Sequence, residues 1–370
     1  MKAVRGHQPD YFLIGIVAIW VLFGLVMLSS ASAPISYQKF GDPYHSFKHQ
    51  LITGVLPGLF LFLFLAKFYY EKLKKIAFPL LIGSIVLLVL VFVPGLGADY
   101  GTSASSWLNI FGFSIQPAEL VKLAFIIYLA AWLNSRGEKK VQDFRSSFMP
   151  FVIVVGIISL LMVLQPDLGT LSIIIVTALV VYFIGGGSLW HLTVFCAVGL
   201  LGFLALVKVA PYRMNRFTAF LHPEKDPQGI AYHIWQSLIA IGSGGFFGVG
   251  LGHSRQKFSY LPEVTGDSIF AIMGEEVGFL FTTLFIVLIL AFAYRGIYLA
   301  KNSPNRFARL LVIGIVAWLV FQSFINIMGM LSLLPMTGIP LPFVSSGGTA
   351  LMISLAAAGI LVNISRFSKA

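Results

Sequence analysis

Residues 11–31 read YFLIGIVAIWVLFGLVMLSSA, twenty-one residues without a charge. At 1.5 Å per residue such a helix is about 31 Å long, the thickness of a bilayer's hydrocarbon core. Lys2 and Arg5 precede it and Ala31-Ser32-Ala33 follows, as in a secretory signal. The apolar stretch is too long for a signal peptide, and Pro34 would sit just past the cut, so it reads as an uncleaved first span. Nine more apolar segments follow, at about 50–66, 76–93, 117–134, 149–165, 168–185, 189–209, 267–294, 309–334 and 346–364. Ten spans need roughly 200 residues. That accounts for nearly all the apolar content of a 370-residue chain that is 58% hydrophobic and 11% charged, against about 25% charged in a soluble domain. The expected fold is an all-α polytopic membrane protein, a single membrane domain over residues 1–370 with about ten transmembrane helices.

The same composition excludes a soluble enzyme, a disordered chain and a disulfide scaffold. Porin strands would alternate rather than run continuously apolar. Cys196 is the only cysteine, so an intramolecular disulfide and a cysteine metal site are both ruled out. The net charge of +11 would suit a nucleic-acid binder, but the basic residues fall in alternate loops. Lys67, Lys72, Lys74 and Lys75 share one connection, Arg136, Lys139, Lys140 and Arg145 the next on that side, then Arg295, Lys301, Arg306 and Arg309. The intervening short loops hold only Lys39 and Lys48. This is the positive-inside pattern: both termini are expected in the cytoplasm, and no nucleic-acid partner is indicated.

One connection is far longer than the rest. Residues 210–266, between the seventh and eighth spans, are expected to form a long extracytoplasmic loop, and loops of this length are usually functional. It carries Arg213, Arg216, Lys225, Arg255 and Lys257 and two glycine-rich runs, Gly242-Ser243-Gly244-Gly245 and Gly248-Val249-Gly250-Leu251-Gly252. The glycine runs fit neither a P-loop nor a dinucleotide fingerprint and read equally well as turns.

Charges within spans are rare and point to function. Glu119 and Lys122 are three apart on one face of the fourth span; Asp167 lies in the turn Gln165-Pro166-Asp167-Leu168-Gly169-Thr170; Asp267 opens the eighth span, with Glu275 and Glu276 two turns deeper. Topology brings these, and the Pro- and Gly-marked turn 337–348, to the outer face, which predicts an outward-facing polar cavity. Each piece also has a plain structural reading. Asp267 suits a helix N-cap, Glu119 and Lys122 an ion pair bridging the bundle, and Arg213 and Arg216 interfacial anchors. The histidines show no HExxH or other metal spacing.

Four motifs in order, Gln116-Pro117-Ala118-Glu119-Leu120-Val121-Lys122, Gln165-Pro166-Asp167-Leu168-Gly169-Thr170, Leu261-Pro262-Glu263 with Asp267-Ser268-Ile269-Phe270-Ala271-Ile272 and Glu275-Glu276-Val277-Gly278, and Gly338-Ile339-Pro340-Leu341-Pro342 with Ser345-Ser346-Gly347-Gly348, resemble the SEDS family (shape, elongation, division and sporulation) over essentially the whole chain. Ser254-Arg255-Gln256-Lys257-Phe258 and Tyr260-Leu261-Pro262-Glu263 look more like its division and sporulation branch than its elongation branch. The resemblance implies a ten-span fold in the cytoplasmic membrane and glycosyltransferase activity on lipid II at the outer face. It further implies a class B penicillin-binding protein as partner, other divisome membrane proteins beside it, and Asp267 in the catalytic aspartate position. The chain departs from the family at Gly266-Asp267-Ser268, often Thr-Asp-Phe, at Ser106 before Trp107, commonly Arg, and at Ser346, frequently Tyr. Lys122, Glu119, Arg213, Arg216, Lys257, Asp167 and Ser345 are the expected substrate-binding residues. A divalent cation, Mg or Mn, held by carboxylates is one way to neutralise the leaving diphosphate. Lipid II transport and a non-catalytic divisome scaffold are the competing readings. Transport is disfavoured because the titratable residues cluster in the outer half and Gly185-Gly186-Gly187-Ser188 is short and uncharged. A scaffold leaves Asp267, Glu119, Lys122 and Asp167 unexplained.

Overall fold

In a computed structural model the chain is an all-α membrane bundle, described for residues 6–98, 106–110, 113–209, 214, 218–226 and 228–369. Among the described residues ten apolar helices run in sequence: α1 (Tyr11–Phe40), α2 (His45–Lys67), α3 (Tyr70–Leu90), α4 (Pro117–Val141), α5 (Phe144–Leu164), α6 (Leu168–Ile184), α7 (Leu189–Val209), then α9 (Ile269–Lys301), α10 (Arg306–Met330) and α11 (Gly348–Ser365). Eight are long and apolar enough to cross a membrane; α6 and the apolar part of α7, Leu189–Gly202, are shorter. The segments follow the expected ones, but α2 begins earlier, at His45, and α9 runs on to Lys301. The long connection holds a short helix of its own, α8 (Tyr232–Ser243). A small antiparallel sheet between α3 and α4 is a feature the hydropathy pattern does not signal. Its strands are β1 (Gly97–Ala98), β2 (Trp107–Ile110) and β3 (Phe113–Ile115), in register Gly97 with Leu108 and Asn109 with Ser114.

The helices start and stop where their end residues satisfy free backbone groups. Asp10 caps α1 by accepting from the Leu13 N–H at 3.1 Å, and Asn305 caps α10 from the Ala308 N–H at 2.9 Å. Gly41, at φ 70°, ends α1 in the left-handed conformation. The chain ends meet at one end of the bundle, where the Asp10 N–H donates to Ser365 Oγ and the His7 N–H to the Arg366 carbonyl. The loops rich in Lys and Arg lie at that end too. The N-termini of α4, α6, α9 and α11 and the C-terminus of α10 lie at the other.

Helices α4, α10 and α11 are the most buried of the eight long ones and α2 the least, while α7 is exposed along most of its described length. With lipid as apolar as leucine, such helices associate by close packing rather than by exclusion of water. Small residues make that approach possible: a Cβ on Gly58 of α2 would press on Leu355 of α11.

The glycine runs of the long connection have the same purpose, because they fit against a break in α9. Gly278, at φ 74°, interrupts the helix and leaves Ile269–Val277 as a separate short segment. Residues 245–250 pair with the opened backbone: Phe279 and Leu280 donate to the Gly245 and Phe246 carbonyls at 2.9 and 3.1 Å, and Val249 and Gly250 donate to the Glu275 and Glu276 carbonyls at 3.0 Å each. A Cβ on Gly244 would collide with the Gly274 carbonyl oxygen, and one on Gly248 with that of Glu276. Gly244→Ala should therefore overpack this junction and cost about 1–3 kcal/mol or more. Gly242→Ala, where nothing lies within 4 Å, should melt like the wild type. Detergent-phase thermal melting of the two variants checks this; equal midpoints would contradict it.

Candidate active site

The turn between α10 and α11, residues 331–347, collects contacts from much of the bundle. Helix α10 holds it with two amides one helical turn apart: Gln322 Nε2 donates to the Pro340 carbonyl, and Asn326 Nδ2 to the Ile339 carbonyl, each at 2.8 Å. Gln50 of α2 accepts from the Gly347 N–H at 2.9 Å. A Cβ on Gly24 of α1 would collide with the Phe343 carbonyl, and one on Gly169 of α6 with that of Thr337. Trp20 packs on the Phe343 ring at 5.1 Å between centroids.

Asp267 is attached to this turn from the other side. Asn326 Nδ2 also donates to the Asp267 carbonyl at 2.8 Å, and Ser345 Oγ donates to the Gly266 carbonyl at 2.6 Å while accepting from the Leu341 N–H at 2.8 Å. The Ser346 N–H donates to the Thr265 carbonyl at 2.7 Å. The carboxylate lies over Gly338, where a Cβ would stand 4.0 Å from Asp267 Oδ2. Gly338 has φ 71°, so a side chain there would be both strained and close to the carboxylate. Ser268, the N-cap of α9, donates to the Pro262 carbonyl at 2.8 Å, and His233 of α8 lies 2.5 Å from its hydroxyl. With that hydroxyl hydrogen committed to Pro262, the imidazole Nε2 is the donor of this pair.

The expected pair on α4 is present and buried. Lys122 Nζ donates to Glu119 Oε1 and to Gln322 Oε1, both at 2.7 Å, and lies 5.0 Å from the centre of the Trp318 ring. Trp318 Nε1 donates to the same Gln322 oxygen at 2.7 Å. One relay thus runs from Glu119 through Lys122 and Gln322 to Pro340. Asp167 caps α6, accepting from the Thr170 N–H at 2.9 Å. Enclosure raises its carboxyl above the ordinary value, and Thr170 and the Lys122 charge oppose the rise.

Lys257 goes elsewhere. Its Nζ donates to Glu276 Oε1 at 2.7 Å and to Ser30 Oγ of α1 at 3.2 Å, with the pair buried. Glu275 accepts from Ser254 Oγ at 2.5 Å and from the Arg255 N–H at 2.8 Å. Both carboxylates thus hold residues 254–257 against α1 and the broken α9. Arg213 and Arg216 lie outside the described residues. The expected polar cavity takes a different form, because Glu119, Lys122, Gln322, Lys257 and Ser345 are buried against protein partners rather than lining an open space. A cavity of about 620 Å³ does lie beside α4, among α2, α3 and α11, but it is apolar, lined by Leu65, Leu80, Leu123, Ile127 and Ile353 among others. Among the described residues no three His, Cys, Asp or Glu gather in a metal-holding group.

Residues 10–370 match the FtsW/RodA/SpoVE family, described as cell cycle proteins. The chain belongs to that family. It is 40% identical over 362 residues to stage V sporulation protein E of Bacillus subtilis, covering 98% of each chain, and 37% identical over 366 residues to a probable peptidoglycan glycosyltransferase FtsW of Geobacter sp. strain M18, covering 99% of this chain and 98% of that one. Among solved structures it resembles one described as showing structural coordination of polymerization and crosslinking by a peptidoglycan synthase complex, with TM-score 0.79, 28% identity and coverage of 97% of this chain and 98% of that one. The rod shape determining protein RodA of Thermus thermophilus superposes with TM-score 0.70 and 27% identity over 97% of each chain.

Three residues that hold the segments around Asp267 carry no motif that singles them out: Gln322, Asn326 and His233. The signal for the first two was available, since they are amides at i and i+4 in an otherwise apolar span. His233 carries no spacing that would single it out. For Lys257 the structure makes a distinguishing prediction. Lys257→Met should leave Glu276 buried without its cation and destabilise the fold by about 3–5 kcal/mol, and Lys257→Met with Glu276→Gln should recover most of that. Thermal melting reads it; an unshifted midpoint combined with lost lipid II affinity would instead make Lys257 a diphosphate ligand.

Proposed function

We propose that the chain is a peptidoglycan glycosyltransferase that polymerises lipid II into β-1,4 glycan at the outer face of the cytoplasmic membrane, in septal wall synthesis. The observation that carries this reading is Asp267, held by the turn between α10 and α11 and by Asn326 in a fold shared with peptidoglycan-synthesising relatives. The loops rich in Lys and Arg at the terminal end of the bundle support a cytoplasmic position for that end, and so an outer position for Asp267. The likeness to proteins named SpoVE and FtsW, at 40% and 37% identity, supports the division branch over elongation.

Outside the cytoplasmic membrane there is no ATP, so polymerisation needs a donor activated beforehand. A lipid-linked sugar diphosphate is such a donor. Asp267 takes the proton from the acceptor GlcNAc 4-hydroxyl as that oxygen attacks the anomeric carbon of donor MurNAc. The C–O bond to the diphosphate breaks, and the lipid diphosphate leaves with the electron pair. One base without a paired nucleophile gives inversion, and so the β link. Of the four basic candidates Lys122, Arg213, Arg216 and Lys257, Lys122 and Lys257 already have buried partners, which favours Arg213 and Arg216 for the leaving diphosphate. Glu119, Lys122, Asp167 and Ser345 serve the site by holding the turn and the helix ends around it. The apolar cavity beside α4 offers room for part of a prenyl chain. A Mg or Mn ion carried on the diphosphate would need only one or two carboxylates of the protein rather than a dedicated cage, and would share the neutralisation of the leaving group with the basic residues. A class B penicillin-binding protein, which would crosslink the new strand, is the expected partner, with other divisome membrane proteins around it.

Purified protein with its class B partner should make polymer from lipid II, and Asp267→Asn should lose about 10²–10⁴ in rate while still folding. A gel-resolved glycan assay reads both. No polymer from the wild type, together with lipid II translocation in liposomes, would replace this reading with transport.

A further inference from the structure

Asn326 is buried in the middle of the site, on an interior helix. A side-chain amide offers two N–H donors and one carbonyl acceptor. Both donors are used, one on the Asp267 carbonyl and one on the Ile339 carbonyl, each at 2.8 Å. The acceptor is buried and has no hydrogen-bond partner among the described residues. An unmatched buried acceptor is costly, so the side chain is suited to this place by its donors alone. The two carbonyls it joins belong to the segment that carries Asp267 and to the turn that lies under the Asp267 carboxylate. The stem is one methylene long and rises from a buried helix, which leaves little freedom in the distance between those segments.

We propose that Asn326 is a positioning residue for Asp267, setting the register between residues 262–268 and the turn 337–347 so that the carboxylate meets the acceptor hydroxyl. This rests on the glycosyltransferase reading above. A group that acts only by placing a base is felt in turnover rather than in substrate affinity, and a displacement of about 1 Å can cost ~10²-fold. A purely structural link would change the yield of folded protein and leave its kcat alone.

The test uses the full chain with its class B partner and three variants: Asn326→Leu, which keeps the shape without donors; Asn326→Ser, which reaches at most one carbonyl; and Ser323→Ala, a neighbouring buried residue whose hydroxyl bonds only the Leu319 carbonyl one turn back. Initial polymerisation rates per folded molecule across lipid II concentrations are paired with hydrogen–deuterium exchange over both segments. The expected result is kcat lowered about 10–100-fold in the Leu variant and less in the Ser variant, with KM within about twofold. Exchange should quicken in both segments together, and Ser323→Ala should behave as wild type. If Asn326→Leu does not fold, Asn326→Ser and its exchange decide the question. A folded Asn326 variant with wild-type kcat, or with faster exchange in the turn alone, would overturn the proposal. If the wild type makes no polymer, the glycosyltransferase reading fails, while coupled exchange would still support the link between the segments.

Discussion

Irregular backbone at membrane depth must find every hydrogen bond within the protein, because lipid supplies none. The turn from 331 to 347 is the place where this chain meets that demand, and Gln322 and Asn326 are how it does so. Each amide satisfies a carbonyl of a Pro-interrupted stretch that cannot form a helix. Once the turn is held, Ser345 and Ser346 can reach back to residues 265 and 266, α1 and α6 can close on it through Gly24 and Gly169, and Lys122 can lodge against Gln322. A rigid platform results under Asp267, built mostly of backbone and neutral amides. Buried ion pairs add little net stability, but they are costly to break, so Glu119–Lys122 and Lys257–Glu276 fix arrangement more than they supply free energy.

The second support for Asp267 comes along α9. Its short first segment would be free to tilt at Gly278. The glycine-rich stretch 244–250 takes up the backbone groups exposed at the break, and Glu275 and Glu276 clasp residues 254–257 beside it. The long connection is therefore anchored within the bundle as well as extending from it. Exact placement of a side chain depends on elements whose own positions are over-determined.

Much of this was readable from the residues. The spans follow from apolar length, the gathering of the basic loops at one end of the bundle from their alternation, and the meeting of the Asp267 segment with the turn 337–347 from motifs at the mouths of the spans. Hidden were the partnerships. Lys257 in a long basic loop has the appearance of an anion ligand, and nothing in its spacing reveals that Glu276 and Ser30, 19 and 227 residues away, enclose it. Glu119 and Lys122 announce each other by helical spacing, but Gln322, 200 residues on, does not. A polar cavity was expected because polar residues converge; they converge on one another. The glycine runs could be read as turns, whereas close approach to the α9 backbone is a property of the packed molecule. The small sheet at 97–115 rests on strands of two to four residues, too short for periodicity to register.

The most direct measurement is a structure of the full chain and its class B partner in lipid, bound to a lipid II acceptor that cannot react. The GlcNAc 4-hydroxyl should lie within about 3 Å of the Asp267 carboxylate, with Asn326 still bonded to both the Asp267 and Ile339 carbonyls. A saccharide bound where Asp267 makes no contact with it, or a turn that must come away from Asn326 to admit it, would contradict a base held in place by that turn.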